Sequence, residues 1–242
     1  MSSSLLSTKN IPVRERLIFA MDLPSVAEAE AMIDRLGDSV QFYKLGLQMF
    51  MTGGYFQLVE KLQKLGKKIF VDLKFFDVPE TVRNAVAQLA TRGVNFATVH
   101  GNDDIMRAAA EVKGTTKILA VTVLTSLDKG DMQDLGFSCD IPALVLSRAR
   151  RSLALGCDGV ISSGLEARAL REGVGEKLIV ITPGIRPASN TAVDDQKRVV
   201  TPQAAFENGA DYIVVGRPIR SAADPRAAAE EIQAQIASVF QK

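Results

Sequence analysis

The segment Val71-Asp72-Leu73-Lys74-Phe75-Phe76-Asp77 sets two carboxylates around one lysine. The residues leading into it, Lys68-Ile69-Phe70-Val71, are apolar and β-branched enough to read as a strand. Side chains alternate along a strand, so Asp72 and Lys74 should leave it on the same face. A lysine beside carboxylates keeps its proton. A charged ammonium held among acids is suited to donating that proton and to stabilising negative charge as it develops. Asp22 and Lys44 each stand near the end of a similar apolar run, residues 17–22 and 41–46. If those runs lie beside the third, ammonium and carboxylate groups form one alternating array. The plainer reading of such an array is a structural ion-pair network. At the mouth of a cleft the functional reading is preferred.

The elements that would hold these groups follow from the hydrophobic pattern. Short β-branched runs recur at residues 17–22, 41–46, 68–74, 96–100, 117–125, 158–163, 178–184 and 212–217. Longer stretches with helical spacing lie between them, among them 25–36, 55–65, 79–91 and 141–155. Pro79 and Pro142 fall where a first-turn proline is tolerated. Gly66, Gly93, Gly156 and Gly209 follow helical stretches as C-cap glycines do. Near-continuous apolar strands alternating with helices predict a parallel sheet buried on both faces. Eight such units in 242 residues predict a (β/α)8 TIM barrel of the α/β class, one domain over residues 11–242. The Ser-rich residues 1–10 are expected to be flexible. An open doubly wound sheet competes. It would carry a GxGxxG after the first strand and gather its polar residues at one switch point. Neither is seen, and polar residues stand at the ends of most runs: Asp22, Lys44, Asp72 with Lys74, His100, Thr125 with Ser126, Ser162 with Ser163, Arg186 and Gly216-Arg217.

Composition removes several classes of function. Lys plus Arg total 29 against 28 Asp plus Glu, which leaves no basic footprint for nucleic acid or an anionic membrane. No apolar run approaches a membrane span, and the first residues lack the apolar core of a signal peptide. Cys139 and Cys157 have no zinc-type spacing and His100 is the only histidine, so no metal site is expected. Reduced thiols fit a cytoplasmic protein. His100 reads equally as a buried imidazole or as an outer residue of a phosphate site, Phe75-Phe76 as packing around a turn, and Arg148 to Arg151 as a solvated helix face.

The run DLKFFDVPET, residues 72–81, resembles the DxKxxD signature of the orotidine 5′-phosphate decarboxylase family. DxKxxD alone is shared with related sugar-phosphate enzymes. Here it is joined, in the family's order and at compatible spacings, by the Met-Asp pair ending in Asp22, YKLG around Lys44, AVTVLTS at 120–126, TPGIRP at 182–187, DQKR around Gln196 and VGRPI around Arg217. The set spans nearly the whole chain. The chain departs from the family at Phe76, often a histidine, and at Gly101-Asn102-Asp103-Asp104, where many relatives have Ala and paired glycines.

The resemblance implies decarboxylation of orotidine 5′-phosphate (OMP) to uridine 5′-phosphate (UMP) without a cofactor. It implies Lys74 as proton donor, with Asp72 and Asp77 as its acidic partners. Asp77 would reach the site of a second subunit, so a homodimer with shared sites is expected. Asp22, Lys44 and Thr81 would contact the ribose, Thr125 and Ser126 the pyrimidine, and Arg186, Gln196, Gly216 and Arg217 the phosphate. Residues 186–197 would form a closing lid. Two rivals remain. One is a magnesium-dependent relative, a 3-keto-6-phosphogluconate decarboxylase or a hexulose-phosphate synthase. Such enzymes carry an acid where this chain has Lys44. The other is a catalytically silent nucleotide-binding barrel, which has no use for a carboxylate near its anionic ligand.

Overall fold

Eight short parallel strands pair in chain order and close on themselves: β1 (Leu17–Ala20), β2 (Phe42–Gly46), β3 (Lys68–Phe75), β4 (Phe96–His100), β5 (Lys117–Val121), β6 (Gly159–Ile161), β7 (Ile179–Thr182) and β8 (Tyr212–Val215), which pairs with β1. This is the (β/α)8 barrel. The computed structural model describes residues 5–186 and 199–240. Several strands stop earlier than the apolar runs suggest. The run at 117–125 is strand only to Val121, and that at 158–163 only over Gly159–Ile161. Beyond those points the chain leaves the sheet to build the rim of the barrel.

The helices form because each has one apolar face to bury. The helix Val26–Leu36 hides Ala29, Met32, Ile33 and Leu36, spaced three and four residues apart. Ser25 caps it by accepting from the Glu28 N–H. The helix Tyr55–Lys64 repeats the pattern with Tyr55, Leu58, Val59 and Leu62. The expected C-cap glycines Gly66, Gly93, Gly156 and Gly209 all have positive φ, so a left-handed residue ends each element where the sequence places it. Among the described residues no helix is long and apolar enough to cross a membrane.

Alternation splits the core in two. Outward-facing strand residues such as Phe19, Tyr43 and Val71 meet the helices, while Ile18, Phe42, Phe70, Phe96, Leu119, Ile179 and Tyr212 fill the barrel. The filling is largely aromatic. The Phe42 and Phe96 rings lie 4.9 Å apart, and Tyr212 meets Phe96 edge-on at 5.2 Å.

Below this plug, at the N-terminal end of the strands, the fully buried Asp211 gathers the chain. Its carboxylate accepts from Lys9 Nζ at 3.1 Å, from the Val180 N–H at 2.8 Å, from Ser7 Oγ and from the Arg171 guanidinium. Residues 5–10, which the sequence leaves as part of a loose segment, therefore run against the barrel, with Ser7 buried. Arg171 is itself only 1% exposed. Removing one partner of a buried ion pair strands the other charge at a cost of about 3–5 kcal/mol. Asp211→Ala should lower the unfolding free energy by about that amount in guanidinium titration. A loss under about 1 kcal/mol would mean that the cluster is solvated in solution.

Candidate active site

Halfway up the barrel the inner face changes from apolar to charged. Two residues beyond Phe42, Phe70 and Phe96, on the same face, stand Lys44, Asp72 and Thr98. Asp72 is 7% exposed. Its Oδ2 lies 3.0 Å from Lys74 Nζ and 3.4 Å from Lys44 Nζ, and its Oδ1 accepts from Thr98 Oγ1 at 2.9 Å. Lys44 also reaches Asp22 Oδ1 at 3.5 Å, so the array runs Asp22, Lys44, Asp72, Lys74 across three neighbouring strands.

Burial works against each of these charges, and the neighbours overcome it. Burial would push the Asp72 carboxyl up, but Lys44 and then Lys74, with hydrogen bonds from Lys74 and Thr98, hold it below the ordinary carboxylate range. Burial would likewise pull the Lys44 ammonium down, but Asp72 and Asp22 raise it above its ordinary value. Asp72 and Lys44 are therefore both charged at neutral pH. The array also explains Gly46. A Cβ there would stand 3.2 Å from Lys44 Nζ and 3.4 Å from Asp22 Oδ1, crowding the ammonium between its two carboxylates.

Lys74 reaches the mouth by a route that strand alternation does not describe. The β3–β4 register slips between Val71 and Phe75, and Lys74 has φ +49°. That left-handed conformation costs a side-chain-bearing residue about 1–2 kcal/mol. Asp72 and Lys74 do share a face, but a bulge and not a regular pleat aims the lysine.

The mouth opens into a cavity of about 610 Å³ lined by Asp22, Lys44, Asp72, Lys74, Thr125, Ser126, Arg186, Gly216 and Arg217. Those expected residues come together. Asp77 and Thr81 do not. Both are exposed on the turn and helix after β3, and Asp77 Oδ1 accepts from the Val78 N–H at 2.7 Å. Gln196, and with it the lid expected at 186–197 apart from Arg186, lies outside the described residues. The feet of that segment are joined, since the Arg186 N–H donates to Val200 O at 3.0 Å and the Val200 N–H to Gly184 O at 3.1 Å.

Sequence reasoning missed Gln48, Arg220 and Thr98. Gln48 and Arg220 line the cavity. Arg220 follows Arg217 by one helical turn in Arg217–Arg220 and donates to Asp22 O. Thr98 was legible from alternation, because Phe96, Thr98 and His100 share one face of β4. His100 is half-buried and its ring meets that of the exposed Phe76, with centroids 4.4 Å apart, so Phe76 packs on the end of β4 and not around its own turn. Burial, then Arg148 and Lys74, hold the imidazole below its ordinary value, and it is neutral at pH 7. Arg148 departs from the solvated face expected of the basic run. It is half-buried and donates to Thr122 O.

Fold and mouth together define a barrel enzyme that works through charged side chains projecting from the C-terminal ends of its strands. A family model described as Orotidine 5′-phosphate decarboxylase / HUMPS family matches residues 15–232. A curated relative from Methylococcus capsulatus (strain Bath), named orotidine 5′-phosphate decarboxylase, is 65% identical over 237 residues and covers 98% of each chain. One of the same name from Rhodopseudomonas palustris (strain HaA2) is 52% identical, covering 93% of this chain and 95% of its own. The crystal structure of orotidine 5′-phosphate decarboxylase from Lactobacillus acidophilus superposes with a TM-score of 0.80 at 36% identity, covering 92% of this chain and 99% of that one. The chain belongs to the orotidine 5′-phosphate decarboxylase family, and it is a carboxy-lyase.

The electrostatics of the array can be tested by pH. The Asp72 carboxyl titrates lower in the folded chain than in the unfolded one. As pH falls, the unfolded chain takes up that proton first, so the stability Asp72 contributes is present above the ordinary carboxylate range and is lost as pH falls through the depressed folded value. The difference in unfolding free energy between the wild type and Asp72→Asn should be constant near neutrality and should shift against the wild type between about pH 5 and pH 3. A difference that is flat across that window would mean that the carboxyl titrates alike in both states.

Proposed function

We propose that the chain removes CO2 from C6 of OMP to give UMP in pyrimidine biosynthesis, with Lys74 as the proton donor and no cofactor. The observation that carries this is the position of Lys74 Nζ, 3.0 Å from a buried carboxylate that Lys44 also holds, at one side of a cavity whose other side carries Arg186 and Arg217.

The C6–carboxylate bond breaks and its electron pair stays on C6, in the ring plane, where the π-system cannot spread it. The charge must be met electrostatically. The Lys74 ammonium stands ready for it, held by Asp72 at 3.0 Å and, in the dimer, by Asp77 of the partner. It stabilises the developing carbanion and then transfers its proton to C6. Solvent restores the proton to Lys74, and CO2 leaves. Asp22 and Lys44 hold ribose hydroxyls. Thr125 and Ser126 read the ring carbonyls and N–H. Arg186, Gln196, Gly216 and Arg217 take the phosphate, in keeping with the usual place of a phosphate site at the ends of β7 and β8. Binding energy from that distant group serves to fix the pyrimidine against Lys74. Lys44 Nζ sits between Asp22 and Asp72, where the metal-using relatives carry an acid. This is why no magnesium is invoked.

The exposure of Asp77 and Thr81 supports the shared site. Leu47, Phe50 and Met51 after β2, and Phe76 and Val78 after the neighbouring β3, are 44–80% exposed. Large apolar side chains gathered beside a mouth mark an interface. A second copy seated there would cover them and bring its Asp77 and Thr81 to this site. A cytoplasmic location fits the free thiols, Cys139 exposed and Cys157 buried.

OMP turnover measured with and without EDTA tests the reading. Lys74→Ala should lose at least about four orders of magnitude in kcat, on the scale of removing a group that acts in the transition state, while keeping UMP affinity. Substantial turnover by that variant would end the donor assignment.

Subunit sharing has its own test. Lys74→Ala and Asp77→Asn homodimers should each be severely impaired. After exchange, a mixed dimer has one site with both defects and one site with neither. About a quarter of all sites then become native under random exchange, by twofold symmetry. Activity should rise far above either parent, with differently tagged chains confirming exchange. No rise after confirmed exchange would return Asp77 to its own chain.

A further inference from the structure

The Thr98 hydroxyl takes no part in the chemistry above, yet it is fully buried in the layer directly over Phe96. A valine would suit that layer without bringing a hydroxyl that must be satisfied. Thr98 Oγ1 accepts from the backbone N–H of Lys74 at 2.9 Å and donates to Asp72 Oδ1 at 2.9 Å. The directions are fixed, because an amide N–H only donates and an ionised carboxylate only accepts.

The slip in register explains why a side chain is needed here. Once β3 departs from β4 after Val71, the Lys74 N–H no longer falls opposite a β4 carbonyl. A left-handed residue persists only where its surroundings over-determine it. At Lys74 the constraint comes from Thr98. The same hydroxyl fixes the plane of the Asp72 carboxylate, whose Oδ2 faces Lys44 and Lys74 while Oδ1 faces Thr98. One oxygen atom thus ties the backbone of Lys74 to the carboxylate that its ammonium contacts.

We propose that Thr98 is a positioning residue for decarboxylation, locking the left-handed Lys74 backbone and the Asp72 carboxylate into one unit that delivers the ammonium to a fixed point. This rests on the reading of Lys74 as proton donor. The hydroxyl touches neither the ribose groups nor the phosphate groups, so its loss acts on the chemical step and spares binding.

The test compares Thr98→Val, nearly the same shape without the hydroxyl, with Thr98→Ser, which keeps it. Misplacing a catalytic group by about 1 Å costs on the order of a hundredfold in rate. The valine variant should lose about tenfold to a hundredfold in kcat, with KM and UMP affinity within about threefold of wild type. Serine should recover at least about half of that loss on a logarithmic scale. Wild-type kcat in the valine variant overturns the proposal. So does a loss shared equally by KM and UMP affinity, or a serine variant no faster than valine. Should Thr98→Val fail to fold, Thr98→Cys takes its place, since a thiol is a much weaker hydrogen-bonding group. Serine must then exceed cysteine in kcat, and equality overturns the proposal. Lys74→Ala assayed alongside separates the two claims. Full activity there sinks the donor assignment, whereas an inactive Lys74→Ala beside a fully active Thr98→Val sinks the role of Thr98 alone.

Discussion

The carboxylate of Asp72 lies between two ammonium groups, directly above an aromatic plug that offers it nothing. An unpaired charge in such a place costs several kcal/mol. The surrounding groups are arranged to avoid that cost. Lys44 and Lys74 balance the charge, and Thr98 occupies the remaining oxygen. Asp22 gives Lys44 a second partner so that no cation in the row is left over. Position follows from electrostatics: move one member and its neighbours lose the partner that makes their own burial tolerable. Such a site is organised before any ligand arrives, which is what electrostatic catalysis requires.

Much of this was legible in the sequence because the controlling pattern has a period of two. Alternation along residues 68–74 places Phe70 in the floor and Asp72 in the mouth, and the equivalent steps along β2 and β4 give Phe42 under Lys44 and Phe96 under Thr98. The barrel itself follows from eight repeats of one strand–helix pattern. What alternation could not supply is the bulge at Lys74. A register slip leaves no mark in hydrophobic periodicity, and nothing in DLKFFD marks its lysine as left-handed. The gathering of Ser7 and Lys9 on Asp211 was equally hidden, since polar residues near a chain end look the same in sequence whether they wave in solvent or cap a barrel. Asp77 and Thr81 present a third case. Only the family resemblance proposes them as site residues, and in the chain both lie in solvent.

The two ends of the barrel use carboxylates in opposite ways. Asp211, below the plug, has every oxygen committed to groups of its own chain, and its partners Ser7 and Arg171 are buried with it. Asp72, above the plug, is held by two lysines whose remaining donors face an open cavity. The lower cluster is purely mechanical. The upper one carries the same kind of pairing but keeps spare valence toward the solvent side. A barrel separates these tasks because its filled interior insulates one rim from the other, so changes that serve chemistry above need not disturb stability below.

The pairing of β8 with β1 also governs when the chain can become whole. Each strand from β2 to β7 has its predecessor as a neighbour, but the ring has no seal until residues 212–215 arrive. Until then β1 is an open edge with a bare row of backbone groups, the kind of edge that recruits other chains. Asp211 immediately precedes the sealing strand and collects Ser7 and Lys9, which lie ahead of β1. The latch and the last stave of the barrel are thus adjacent in the chain, so the edge is sealed and the rim is tied by one short stretch of residues.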